Sequence, residues 1–298
     1  MERMKAEMLD EYEFVLKVIT PLKMRGAEQN EAEWRAPSVK GLMRWWFRVV
    51  RPADMKSKVR KEEAEIFGGS GDEATASPFI LRCESDAHLV LSNELYNSYL
   101  LRLKIAFYPN VLQEKKKKAL ASLWLAVNLG NFGSRSRRLY GSLQFDSAPA
   151  EKIRNLFSNR LDFSPLNNPE KTIPDSLDTI AEIFGIPRPL ALEVYYTSID
   201  GRCLEEKYRE FRRQAKREKK ICFGLPIIDL GLRDRFASQI IFKSLDNSCL
   251  LTIIKSFELN DKLREIGLEK EEIISALQEF CKYINAEKIY PKEGDKNV

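Results

Sequence analysis

The residues best equipped for chemistry lie in one stretch, Gly130-Asn131-Phe132-Gly133-Ser134-Arg135-Ser136-Arg137-Arg138-Leu139-Tyr140-Gly141-Ser142. Its glycines permit positive φ and close approach of backbone N–H groups to an anion. Arg135, Arg137 and Arg138 add forked donors that match phosphate oxygens, and Tyr140 offers a ring on which an unpaired base can stack. The stretch is not a nucleotide-binding P-loop, because GxxxxGK[ST] between a strand and a helix is missing. It reads as a site for a polyanion, with a flexible exposed turn as the alternative.

A second candidate is a helix opened by Pro37 and Ser38 and ended by Arg51 before Pro52. At about 100° per residue, Lys40, Arg44, Arg48 and Arg51 share an arc of roughly 80°. Val39, Leu42, Met43, Trp46 and Val50 occupy another, so the spacing predicts an outward basic ridge and an inward apolar face. Trp46 and Phe47 read as core, whereas Trp45 projects away from the apolar centre and is a stacking candidate. The ridge sits in a segment, Trp34 to Lys61, with nine basic residues against Asp54 alone. Such a one-signed field suits an acidic or polyanionic partner. A cationic ridge beside an aromatic plate suits single-stranded RNA in particular. A third basic run, Lys207 to Lys220, carries Leu204, Tyr208, Phe211 and Ala215 as a packing stripe. Because Glu206 and Glu210 can pair with its own arginines, it reads as an ordinary amphipathic helix.

Other chemistries lack their residues. His88 is the only histidine and has no motif around it, so Ser-His-Asp, Cys-His and paired-His schemes have no support. HExxH, GxSxG, GGDD and EF-hand patterns are absent, which gives neither a metal nor a small-molecule cofactor visible ligands. Five cysteines, odd in number and widely spaced, fit neither a disulfide framework nor a CxxC knuckle and point to a reducing, cytoplasmic setting. The amino-terminal residues lack the apolar run of a signal peptide, and no window approaches the ~18 apolar residues of a membrane span.

The elements that must position these residues follow from hydropathy. The chain has 298 residues, 31% of them charged and 44% hydrophobic, which excludes disordered, collagenous and disulfide-stapled classes. Residues 1 to 150 hold 24 basic and 19 acidic side chains and the remainder 25 of each, so the net charge of +5 belongs to the first half. Strands are expected over Tyr12–Thr20, Pro78–Cys83, Tyr99–Tyr108 and Leu143–Phe145, with helices over Pro37–Arg51 and Gln113–Leu129. Strand, helix, strand, strand, helix, strand is the ferredoxin-like order that RNA-recognition-motif domains share. The second half repeats these types: strand Ala191–Ser198, helix Leu204–Lys220, strands Arg235–Ser244 and Cys249–Phe257, helix Glu269–Ile284. The expectation is an α+β chain of two ferredoxin-like domains, 1–148 and a more decorated 149–298, with Ser164 to Pro174 in an insertion.

Read together, these segments resemble the RAMP superfamily, and within it the subunit-one branch of the Cmr complex, the type III-B CRISPR effector. The likeness rests on Thr20-Pro21, on Trp34-Arg35-Ala36-Pro37-Ser38-Val39-Lys40-Gly41-Leu42-Met43-Arg44-Trp45-Trp46-Phe47-Arg48, on Glu65-Ile66-Phe67-Gly68 and on Gly133 to Ser142. Phe223-Gly224-Leu225-Pro226 and Arg233-Asp234-Arg235-Phe236-Ala237-Ser238 resemble the second-domain signature more loosely. The chain departs from the family where Lys23-Met24-Arg25-Gly26 replaces paired glycines and where Leu139 stands in place of a common glycine. The resemblance implies two ferredoxin-like domains, a noncatalytic RNA-binding role near the guide RNA's 3′ end and the target RNA, and assembly with other Cmr subunits. On this reading Lys40, Arg44, Arg48, Arg135, Arg137 and Arg138 hold single-stranded RNA, with Trp45 and Tyr140 stacking on bases. Two rivals stay open: an endoribonuclease that processes guide precursors through His88, and an assembly subunit whose arginines grip an acidic protein face.

Overall fold

A computed structural model of the chain describes residues 9–25, 33–52, 55–69, 74–85, 100–224, 236–259, 261–265 and 267–292. The first unit comprises β1 (Asp10–Val18), α1 (Ala36–Val49), α2 (Lys56–Phe67), β2 (Phe79–Ser85), β3 (Leu100–Phe107), α3 (Gln113–Asn128) and β4 (Leu143–Phe145). Its strands lie in the antiparallel order β2-β3-β1-β4. After α4 (Glu151–Leu156) and α5 (Pro169–Phe184) come β5 (Leu192–Thr197), α6 (Gly201–Gln214), α7 (Arg217–Cys222), β6 (Ile240–Ser244), β7 (Cys249–Ile254), α8 (Asp261–Glu265), α9 (Lys270–Tyr283) and β8 (Glu287–Tyr290). The second sheet runs β6-β7-β5-β8, the same order. The fold is therefore α+β with two ferredoxin-like units. No described helix is long and apolar enough to cross a membrane.

The two sheets bury their faces differently, and the sequence shows why. On β1, Tyr12, Phe14, Leu16 and Val18 point into the core while Glu11, Glu13 and Lys17 do not, the alternation of a sheet covered on one side. α1 and α3 supply that cover through Met43, Trp46, Phe47, Leu120, Leu123 and Trp124, all fully buried. Each such side chain contributes about 1.5–3 kcal/mol. β6 and β7 are buried at every position, and most of those positions are apolar, with Lys243, Ser244 and Thr252 the buried polar ones. One face of the second sheet joins the first unit's core through Leu192, Val194, Ile241 and Leu250, and the other packs on α6 and α9 through Phe242, Leu251 and Phe280.

Several elements depart from the sequence expectation, which held no counterpart for α4, α8 or β8, the strand that completes the second sheet. α2 was absent from it, although Val59, Glu63, Ile66 and Phe67 fall on one buried face. The stretch assigned to an insertion, 164–174, leads into α5: Asn168 caps the helix by accepting from the Lys171 N–H at 3.3 Å, and Pro169 occupies its first turn. The single basic helix expected over 204–220 is two. Ala215 turns extended, which redirects α7 so that Phe223 packs on Tyr208, Phe211 and Phe280 at ring separations of 5.6, 5.7 and 5.9 Å.

Candidate nucleic-acid interface

The arginine loop is a built structure. Gly133 and Gly141 adopt φ of +79° and +73°, and a Cβ on them would stand 2.4 Å from the Lys23 carbonyl oxygen and 1.9 Å from that of Phe132. No other residue type fits those two turns. Asn131, buried, donates to the Ser136 and Phe242 carbonyls at 2.6 and 2.8 Å and accepts from the Ser142 hydroxyl at 2.7 Å. Ser142 Oγ accepts in turn from the Ser244 N–H at 3.1 Å. Arg138 forms a parallel bridge to Phe242 on the edge strand β6, with Leu139 N–H donating to the Phe242 carbonyl at 3.3 Å. The loop thus joins the two units. Leu139 holds φ at +65°, the left-handed region that costs a branched side chain about 1 kcal/mol or more.

Beneath the loop lies Lys243, 1% exposed, which donates to the Leu143 and Gly130 carbonyls at 2.7 and 3.2 Å. No carboxylate pairs with it among the described residues, and burial pushes its pKa down to about 7.

The loop's arginines divide between two sides. The Arg137 guanidinium carbon stands 5.5 Å from the Trp45 ring centre, and its Nη1 is buried without a hydrogen-bond partner. Burial lowers its pKa to about 10, so it stays charged at neutral pH. The Arg138 guanidinium stands 5.0 Å from the ring of Tyr208 on α6. Arg135 lies 5.6 Å and the Lys23 ammonium 5.2 Å from the Tyr140 ring. Trp45, half-buried, borders an open cleft of about 720 Å³ with Lys23, Arg25, Ser38, Gly133 and Ser134. α1 and the arginine loop therefore meet at this cleft.

The α1 ridge is less free than its spacing predicts. Arg44 Nε and Arg48 Nη1 both donate to Glu63 Oε1 of α2, at 2.6 and 2.7 Å, and Glu63 is buried. Lys40 donates to Ser77 Oγ at 2.7 Å and lies 4.9 Å from the Phe79 ring. Burial, with Arg44 nearby, lowers its pKa. Arg51 is 3% exposed between Phe47 and Phe184 and pairs with Glu62 at 3.1 Å. The correction has a plain cause: α2 supplies Glu62 and Glu63 along the ridge. Arg48 still reaches a smaller cleft, about 300 Å³, on the far side of Trp45.

The first sheet's uncovered face bears Glu11, Glu13, Lys17, Arg82, Glu84, Arg102 and Lys104, and no aromatic side chain among the described residues. A stacking platform like that of RNA-recognition-motif sheets is missing there, so the helical and loop side carries the aromatic and cationic groups together. His88, Gly71, Leu225, Pro226 and Arg233 to Arg235 lie outside the described residues.

A family model described as the RAMP superfamily matches residues 15–144, which span β1 through β4 and include the arginine loop. The first unit thus resembles the RAMP superfamily. The chain is similar to CRISPR system Cmr subunit Cmr1-1 of Pyrococcus furiosus, 27% identical over 277 residues, 77% of this chain and 82% of that protein. Cmr1-2 of the same organism is 29% identical over 178 residues, 44% of this chain and 92% of that protein. Among solved structures, Cmr1 from P. furiosus in its apo form aligns with a TM-score of 0.64 at 17% identity, over 94% of this chain and 99% of that one. A chain of the type III-B Cmr-beta complex bound to cognate target RNA and AMPPnP aligns with a TM-score of 0.60 at 14% identity, over 93% and 100%. These structural likenesses speak to the fold.

Proposed function

We propose that this chain is a noncatalytic, RNA-binding subunit of a type III-B CRISPR effector complex, holding target RNA or the 3′ region of guide RNA in single-stranded form. One observation carries the reading: the arginine loop is locked between the two units and shares an open cleft with Trp45, over whose ring Arg137 stands. Guanidinium groups neutralise phosphates there, and the indole edge and the Tyr140 ring present faces to unpaired bases. The similarity to Cmr1 proteins supports membership of the same kind of complex. Within the reading, Arg135, Arg137, Arg138, Trp45 and Tyr140 make the principal contacts, Arg48 sits at the rim, and Lys40 and Arg44 chiefly tie α1 to its neighbours.

The test is the salt dependence of affinity for single-stranded RNA. Contact with five to eight phosphates gives a slope of log affinity against log salt of roughly −3.5 to −5.6, at about 0.7 per phosphate. A slope near zero rejects the electrostatic reading. The endoribonuclease alternative rests on His88 and is tested separately: labelled precursor RNA stays intact with the protein, and cuts abolished by His88→Ala would overturn the noncatalytic assignment.

A further inference from the structure

α6 and α7 face a cleft of about 470 Å³ that the loop closes from the other side. Arg138, Arg209, Arg212, Arg213 and Lys220 line it, over an apolar floor that includes Tyr208. The Arg138 and Arg212 guanidinium carbons lie 5.0 and 5.7 Å from the Tyr208 ring centre. The sequence suggests that Glu206 and Glu210 neutralise this run, but the fold directs Glu210 to Gln214 at 3.2 Å. Glu205 alone supplies a carboxylate to the cleft, at 2.5 Å from Arg209. Arg138, Arg212, Arg213 and Lys220 have no carboxylate partner among the described residues. Five cations gathered around one acid repel one another, and an anion spanning several of them relieves that repulsion.

The two clefts share no lining residue, but the arginine loop borders both, the first through Asn131, Gly133 and Ser136 and the second through Arg138 and Leu139. Arg137 and Arg138 are consecutive residues, yet one stands over Trp45 and the other over Tyr208. Successive phosphates of one strand crossing the loop meet both. We propose that the α6 cleft is a second backbone site, which takes the sugar-phosphate chain of the same single-stranded RNA some nucleotides along from the part held at Trp45. The inference rests on the RNA reading above, and it assigns Arg209, Arg212, Arg213 and Lys220 to phosphate contact. A polyanion is favoured over an acidic protein face because arginines of the loop and of α6 line the cleft together and Arg138 is next in the chain to Arg137 at Trp45.

The experiment uses the full chain and a single-stranded RNA of about 20 nucleotides, long enough to cross both clefts. Affinity is measured against salt for the wild type, for Arg209→Gln/Arg213→Gln/Lys220→Gln, and for Arg209→Lys/Arg213→Lys. Losing about three phosphate contacts lowers the steepness of the salt slope by about 2 and weakens binding at least tenfold in ~0.1 M salt. The lysine variant keeps most of the slope, and the thermal unfolding of both variants matches the wild type because Arg209 and Arg213 are exposed and half-buried Lys220 has no ion-pair partner among the described residues. A wild-type slope retained by the glutamine variant overturns the inference and leaves the RNA reading standing. Loss of RNA-independent capture by other subunits, with that slope unchanged, assigns the cleft to an acidic protein face instead. Absence of RNA binding by the wild type removes both readings.

Discussion

Lys243 offers a test of how the loop is anchored. In the unfolded chain its ammonium group titrates near the ordinary lysine value of 10.5, and in the fold burial pushes it down to about 7. At pH below about 7 both states hold the proton, and the fold bears the full cost of a buried charge. As pH rises from there, the folded state releases the proton while the unfolded state keeps it, so stability increases until the unfolded group also titrates. The full span corresponds to about 5 kcal/mol, and the part between pH 7 and 8.5 to about 1.6 kcal/mol. That window also lies below the range in which the buried thiols of Cys249 and Cys281, both pushed up by burial, act in the opposite sense. Urea unfolding of wild type and Lys243→Met at pH 7, 7.75 and 8.5 isolates the effect as the difference between the two curves. The wild type gains about 1.6 kcal/mol relative to the variant across that range. Parallel curves would refute the buried, carboxylate-free position of this amine.

The remaining predictions concern the loop and the ridge. Gly141→Ala places a methyl group against the Phe132 carbonyl at a positive φ, so the melting temperature falls by an amount equivalent to at least about 2 kcal/mol; an unchanged melting temperature would contradict the turn geometry. Arg44→Gln leaves buried Glu63 with one of its two donors, which costs about 1–3 kcal/mol in urea unfolding, and it changes the RNA salt slope less than Arg137→Gln does. Arg137→Gln/Arg138→Gln reduces the steepness of that slope by about 1.4 while the fold persists; loss of folding would make these arginines structural.

Much of this architecture is legible in the sequence. The alternation of Tyr12, Phe14, Leu16 and Val18 and the 3.6-residue spacing in α3 and α9 locate elements that the fold buries as expected, including Ile273, Leu277, Phe280 and Ile284. Trp46 and Phe47 are core for the same reason. α2 was hidden because its charges, Lys56 to Glu65, outweigh a short apolar stripe, and with it went the acids that hold Arg44 and Arg48. The convergence of the loop with α6 is a tertiary fact: it depends on Phe242, more than 100 positions away, pairing with Asn131. Asn131, Ser142 and Lys243 carry no local signal of their role, since a buried polar group declares itself only once its partners are known.

The central claim is that RNA crosses the arginine loop between the two units and avoids the open face of the first sheet. Ultraviolet crosslinking of RNA to the assembled complex, followed by peptide mapping, tests it most directly. The account predicts adducts on peptides bearing Trp45 and Tyr140, with Tyr208 joining them on longer RNA. Adducts confined to the β1, β2 and β3 peptides bearing Lys17, Arg82, Arg102 and Lys104 would contradict it.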